Sequence, residues 1–363
     1  MSNAADLKAL GPVLDEARAA RATLVLATMV ETAGSSYRKA GARMLMSPDG
    51  RWWGLLGGGC FEGDLVDRAL EALAGPAQIV EYDLRGEQDV LWGLGAGCEG
   101  MIRILLQRLT PENRYEPLAG AVALARGRRQ GLVMTTVNPG STGLVAGDAV
   151  IAADGEIVAR SRAVAERQLS AAAVEALASA TPRGIRSVAL HDGEAQVFVD
   201  PLVPPPRFLI AGAGPDAVPM AAIAGELGWD VVVADHREGW ARQERFPACS
   251  EVVCLEPRDL EARMRDDPPD AALVMSHHLG VDTRWLEALA RLPVTWLGVL
   301  GPARRKARLL GEVSPAARKA LEGRLRGPVG LDIGGEGPGP IAVSAIAEIQ
   351  AVLAGRDGRP VGT

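Results

Sequence analysis

The stretch Arg207-Phe208-Leu209-Ile210-Ala211-Gly212-Ala213-Gly214-Pro215-Asp216-Ala217 decides how the fold is read. It runs as a short apolar strand, a G-x-G-x-x-A turn, and then a helical pattern through Ala221, Ile223, Ala224 and Leu227. In a dinucleotide-binding fingerprint the first glycine makes the tight turn and the second lets the backbone approach a pyrophosphate. The third position, Gly or Ala, lets helix and strand pack closely. Gly228 ends the helix, residues 229–234 read as a second strand, and Asp235 closes it. This fold places a carboxylate there, about 20 residues on, to accept a ribose hydroxyl. Gly212, Gly214 and Asp235 are therefore candidate nucleotide-binding residues. Pro215 departs from the pattern, because it removes a backbone donor from the phosphate-facing loop.

Downstream, the short apolar runs 251–255, 271–276 and 294–300 alternate with helical patterns such as 282–290. Such alternation implies a parallel sheet with covering helices. Arg304, Arg305, Lys306 and Arg308 open a helix, either as a phosphate site or as a solvated basic face. His277-His278 are adjacent and lack a carboxylate motif, which favours structural or substrate contact over metal ligation. Gly330-Leu331-Asp332-Ile333-Gly334-Gly335-Glu336 leads into an apolar helix over 341–353, and 356–363 reads as an unstructured tail.

Upstream, Pro201, Pro204, Pro205 and Pro206 mark a stiff linker over 201–206. The segment before it, 1–200, reads as a separate mixed α/β domain, and 207–355 as a Rossmann-like domain. Leu7, Leu10, Val13, Leu14 and Ala17 lie on one face of a helix over 4–20, and a strand follows. The polar loop 31–41 holds Ser35, Ser36, Tyr37, Arg38 and Lys39, residue types that suit phosphate or substrate contact and equally an exposed turn. Strands at 42–46 and 52–56 flank the turn Pro48-Asp49-Gly50.

The second of these strands delivers the chain into Gly57-Gly58-Gly59-Cys60-Phe61-Glu62. Helical spacing begins directly behind it, at Leu65, Val66, Ala69, Leu70 and Leu73. Cys60 would then stand at a helix start, where the dipole favours a thiolate and free N–H groups can hold an anion. A soft sulfur there suits a soft metal or sulfur transfer. A tight turn before a small buried cysteine fits the same residues. A second loop, Gly93-Leu94-Gly95-Ala96-Gly97-Cys98-Glu99-Gly100, precedes a strand over 101–109, and the two loops are expected to line one site. Beyond it, 115–125 reads as a helix and 131–137, 151–157, 185–190 and 195–199 as strands.

Composition bounds the function classes. At 363 residues, two domains are expected, with a third possible. A net charge of −6 argues against general nucleic-acid binding. Four cysteines without regular spacing make no disulfide framework. The first ten residues read as no signal peptide, and no stretch reaches the ~18 apolar residues of a membrane span. A cytoplasmic protein without nucleic-acid or membrane partners is expected.

Taken together, the two glycine-cysteine loops, Gly212-Ala213-Gly214, Arg245-Phe246-Pro247, Gly301 with Arg304-Arg305-Lys306, and Leu331-Asp332-Ile333-Gly334 resemble the XdhC/CoxI family. The resemblance covers nearly the whole chain. Members of this family are accessory factors that mature molybdenum hydroxylases such as xanthine dehydrogenase. They often have an acidic or His-Asp-containing segment where this chain reads Ser276-His277-His278-Leu279-Gly280-Val281-Asp282, and Gly-Ser before the basic cluster where it has Gly301-Pro302-Ala303.

The resemblance implies an N-terminal mixed α/β domain followed by a C-terminal Rossmann-like domain. It also implies binding of molybdenum cofactor (molybdopterin), support of its sulfuration, and delivery to an apoenzyme. That is a chaperone's role more than a catalyst's. A molybdenum hydroxylase apoenzyme, a cysteine desulfurase and a second copy of the chain are the implied partners. Cys60 becomes the expected sulfur contact to molybdenum, with Cys98 the second candidate. Gly57, Gly58, Gly59 and Glu62 belong to the same cofactor loop, and Ser35, Ser36 and Arg38 are candidates for pterin or phosphate. Gly212, Gly214, Asp235, Arg304 and Arg305 would hold a nucleotide such as NAD(P).

The main alternative is an NAD(P)-dependent oxidoreductase with Cys60 or Cys98 as a redox thiol, Asp235 favouring NAD by repelling a 2′-phosphate. Against it, no positioned acid–base constellation is visible, and a fold hosts many functions. A nucleotide-sensing interaction module is the third reading. What co-purifies with the protein separates them.

Overall fold

The computed structural model describes residues 4–34, 36–59, 61–73, 75–83 and 100–360. Ser35, Cys60 and Cys98 lie outside the described residues. The chain forms two compact units, 2–204 and 205–363.

The first unit holds two antiparallel five-stranded sheets. Strands β1 (Leu24–Gly34), β2 (Arg43–Met46), β3 (Trp52–Gly54), β4 (Gln78–Asp83) and β5 (Gly100–Leu109) stand in the order β3-β2-β1-β5-β4. Strands β6 (Gly131–Asn138), β7 (Ala149–Ala153), β8 (Glu156–Arg160), β9 (Gly184–Leu190) and β10 (Gly193–Leu202) stand in the order β8-β7-β6-β10-β9. The central strand β1 begins with seven consecutive buried residues, because both faces of its sheet are covered. Helix α1 (Ala4–Ala20) buries Leu7, Leu10 and Leu14 on one side. Helix α2 (Glu62–Ala72) inserts Leu65, Val66 and Ala69 on the other. Among the described residues the unit's other helices are α3 (Leu118–Arg126) and α4 (Ala163–Ala178), and α4 seats Leu169 and Ala173 on the second sheet.

Three local expectations change here. Residues 151–157 are a hairpin rather than one strand, since Asp154 (φ 53°) and Gly155 (φ 81°) make a two-residue turn between β7 and β8. Helix α4 and strand β4 were not expected from the spacing. Strand β10 continues through Pro201, opposite Leu132, to Leu202, so the irregular segment before the second unit is shorter than the proline count implied.

The second unit is a parallel sheet of β11 (Arg207–Ala211), β12 (Asp230–Asp235), β13 (Glu251–Cys254), β14 (Ala271–Val274), β15 (Trp296–Val299) and β16 (Leu325–Arg326). Their order, β13-β12-β11-β14-β15-β16, is 3-2-1-4-5-6, the doubly wound order of the Rossmann fold. Runs such as Phe208-Leu209-Ile210-Ala211 are apolar at every position because helices cover both faces. One face carries α5 (Ala217–Glu226) and α10 (Pro338–Leu353), with Met220, Ala221, Ile346 and Ile349 in the core. The other carries α6 (Leu260–Met264), α7 (Leu279–Leu289), α8 (Ala303–Glu312) and α9 (Pro315–Leu321), packed around Trp285, Leu286, Leu309 and Leu321. The fold class is as expected: mixed α/β, then Rossmann-like. Strand order reverses between β11 and β14, which places a crevice at their carboxyl ends.

Candidate functional site

In the first unit, Glu62 begins α2 and is 2% exposed. Its Oε1 accepts the N–H groups of Leu56 (3.2 Å) and Gly57 (2.6 Å), and its Oε2 that of Gly59 (3.0 Å). Three N–H groups of the glycine loop, which precede the helix start, are therefore held by the chain's own carboxylate and are not offered to a ligand. The glycines have steric reasons. A Cβ at Gly57 would fall inside the Phe61 ring, while Gly58 (φ 75°) and Gly59 (φ 102°) take left-handed turns.

Behind the loop, Phe61 stacks on Tyr82 with ring centroids 4.8 Å apart, and the Tyr82 hydroxyl donates to Asp64 at 2.6 Å. Burial and the Asp64 carboxylate push the Tyr82 phenol up, so it stays protonated and donating. Burial opposes ionisation of Asp64, but hydrogen bonds from Tyr82 and Arg68 prevail and hold it below the ordinary carboxylate range. This buttress fixes the start of α2 against β4. Composition gave no signal of it.

In front, Gly58 and Gly59 are exposed, and the Tyr37 ring, 65% exposed, lies beside Gly58, 3.8 Å from where a Cβ would stand. The loop of Ser36, Arg38 and Lys39 thus borders the glycine loop. Arg38 is engaged there: its guanidinium donates to both oxygens of Asp6, at 2.6 and 2.7 Å. Ser36 donates to the Arg38 carbonyl at 2.8 Å. Lys39 is exposed, its Nζ 3.3 Å from Ser36 Oγ.

In the second unit, Gly212 (φ 127°) is pressed against the loop after β14, and a Cβ there would meet Met275 and Ser276 backbone at 2.6–2.7 Å. Asp235 is fully buried and accepts from the Ala213 N–H (2.8 Å) and the Arg237 N–H, Nε and Nη2 (2.9, 2.9 and 2.7 Å). Burial works against its charge, but the Arg237 and Ala213 hydrogen bonds prevail and lower its pKa. Asp235 therefore braces the glycine loop and presents no oxygen to a ribose, contrary to expectation. Arg237 and Arg245 lie over the Trp240 ring at 4.6 and 4.9 Å, and Arg245 donates to the Ala213 carbonyl at 2.8 Å.

The basic cluster divides. Arg305 pairs with buried Asp282 at 2.5 Å, and Asp282 also accepts from Ser276 Oγ at 2.5 Å. Arg304 is exposed and makes no ion pair among the described residues. His277, in a left-handed conformation (φ 62°), joins its Nε2 to Asp216 Oδ2 at 2.5 Å. The Asp216 hydrogen bond raises the His277 pKa, with burial opposing. Among the described residues no group of three His, Cys, Asp or Glu side chains could hold a metal, and no helix is long and apolar enough to cross a membrane.

Residues 208–349 match the XdhC Rossmann domain and residues 17–83 the XdhC and CoxI family. The chain is 33% identical over 331 residues to a Bacillus subtilis protein described as a probable subunit of xanthine dehydrogenase, covering 90% of this chain and 92% of that one. Over 86 residues it is 35% identical to the molybdenum cofactor insertion chaperone PaoD of Escherichia coli, 23% of this chain and 26% of the relative. A crystal structure described as a xanthine dehydrogenase from Bacillus halodurans superposes with a TM-score of 0.74 at 27% identity, spanning 100% of this chain and 98% of the other. The chain belongs to the XdhC and CoxI family.

Proposed function

We propose that this protein is a maturation factor for a molybdenum enzyme of the xanthine dehydrogenase type, and that it receives molybdenum cofactor at the 57–60 loop. The observation that carries the reading is the buried Glu62 carboxylate. It holds the N–H groups of Leu56, Gly57 and Gly59, directly before Cys60 in the sequence. The names of the relatives, a molybdenum cofactor insertion chaperone and a xanthine dehydrogenase subunit, support the same role.

The residues around the loop fit the cofactor in part. Tyr37 offers an exposed ring for a flat pterin, Gly58 and Gly59 offer exposed backbone, and Lys39 offers an exposed ammonium for a phosphate. The N–H groups of Leu56, Gly57 and Gly59 do not contribute, because Glu62 accepts from all three. A thiolate at Cys60 would supply the soft ligand that molybdenum favours. Bound there, the cofactor would supply the metal centre for later insertion. The chain's own residues hold, orient and shield. Sulfuration by a cysteine desulfurase and hand-over to an apo-hydroxylase complete the proposal.

Anaerobic purification followed by molybdenum and pterin analysis tests it, on wild type, Cys60→Ala and Cys98→Ala in parallel. Pterin and metal on wild type, lost from Cys60→Ala, are expected. Retention by Cys60→Ala with loss from Cys98→Ala would move the contact to the second loop. Absence of pterin from all three, with a nicotinamide nucleotide bound instead, would overturn the maturation reading.

A further inference from the structure

We propose that the Rossmann crevice of this chain is closed to dinucleotide pyrophosphates, and that Asp216 is the specificity-determining residue that closes it. The fold offers a pyrophosphate two things: close approach over the second glycine, and free N–H groups at the start of the following helix. Here the approach is blocked and the donors are reduced. Asp216 Oδ1 lies against the second glycine, 2.6 Å from where a Cβ on Gly214 would stand. A carboxylate thus occupies the approach that a phosphate needs.

The donors are depleted as well. Ala213 donates its N–H to Asp235, and Pro215 has none. The far side is shut by His277, whose Nε2 binds Asp216 Oδ2 and ties the glycine loop to the loop after β14. At the ribose end, the Asp235 carboxylate is buried under Arg237. Each feature removes a different part of a dinucleotide site, and together they leave a carboxylate, already engaged by His277, where a phosphate would have to enter.

The same geometry says what chemistry the crevice accepts. Asp216 Oδ1 is shielded from solvent and has no hydrogen-bond partner among the described residues. A buried acceptor of this kind calls for a donor. A group entering here must bring an N–H or O–H rather than an oxyanion.

Titration calorimetry on the full chain with NAD⁺ and NADP⁺ tests the proposal, using wild type, Asp216→Asn, Asp216→Gly and, as a control on the same helix, the exposed Glu226→Gln. Wild type and Glu226→Gln are expected to bind both nucleotides no better than millimolar. Both Asp216 variants are expected to bind at least tenfold more tightly. Asn keeps the shape and Gly removes the side chain, so a fold defect in one leaves the other informative, and circular dichroism establishes which variants are folded. Micromolar binding by wild type would overturn the proposal. So would folded Asp216 variants that bind no better than wild type.

Discussion

Replacing Glu62 by alanine removes the acceptor of three N–H groups at once. The bonds measure 3.2, 2.6 and 3.0 Å, and the carboxylate is 2% exposed. A hydrogen bond to a charged group contributes about 1.5–3 kcal/mol, and a buried donor left unpaired costs about 1–3 kcal/mol. Gly59 is exposed and water can replace its acceptor, whereas Leu56 is buried and Gly57 half-buried. Two donors therefore carry the loss, and the first unit should lose about 3–5 kcal/mol. Glu62→Gln keeps one oxygen for Leu56 and Gly57 but turns an amide N–H₂ toward the Gly59 N–H, so about half that loss is expected. Urea unfolding gives the stability change, and amide hydrogen exchange locates it. The Gly57 amide should lose protection in the alanine variant well beyond any global change. Glu71→Ala, an exposed residue of the same helix, is the reference. If Glu62→Ala unfolds within about 0.5 kcal/mol of that reference, the clamp is not what fixes the loop.

Other perturbations follow from the same geometry. Glu116 is buried, accepts the Gly120 N–H at 2.9 Å, and is pushed up by burial from 4.5 to about 7. The folded state then keeps a proton that the unfolded chain releases, so stability should fall by about 3 kcal/mol as pH rises from below 4.5 through 7. Urea midpoints of Glu116→Gln should lack that slope, and an unchanged slope would assign it elsewhere. Gly212→Ala combines a left-handed φ with backbone contacts at 2.6–2.7 Å and should destabilise the second unit by about 3 kcal/mol or more. Gly239→Ala, with no atom nearby, should not, and equal thermal shifts would contradict the steric argument. The raised pKa of His277 contributes stability that is present below pH 6.5 and lost as pH rises through the folded value. Its NMR titration should move down in Asp216→Asn, and an unmoved midpoint would remove Asp216 as the cause.

Much of this was legible in the residues. The strand–glycine–helix–strand order over 207–235 predicted a doubly wound unit because short all-apolar runs between helical patterns bury only as a covered parallel sheet. The start of α2 behind Gly57-Gly58-Gly59 was legible from its helical spacing. The turn at Asp154-Gly155 was legible in principle from its residue types, although 151–157 reads as one strand by hydropathy. Helix α4 was harder, since its buried face is mostly small alanines that give a weak period.

The destinations of the carboxylates were not legible. Glu62, Asp216 and Asp235 were each open, by type, to serve a ligand. Glu62 turned back on N–H groups within six residues, Asp235 took an N–H from 22 residues away, and Asp216 met a histidine 61 residues away. By itself the sequence determined the family, the strand–helix alternation of the second unit and the supply of glycines and acids near two turns. Only the tertiary structure decided which acids face the chain and which face outward. Residue type sets what an atom can donate or accept, but the partner it finds depends on neighbours that strand order brings together from distant parts of the chain.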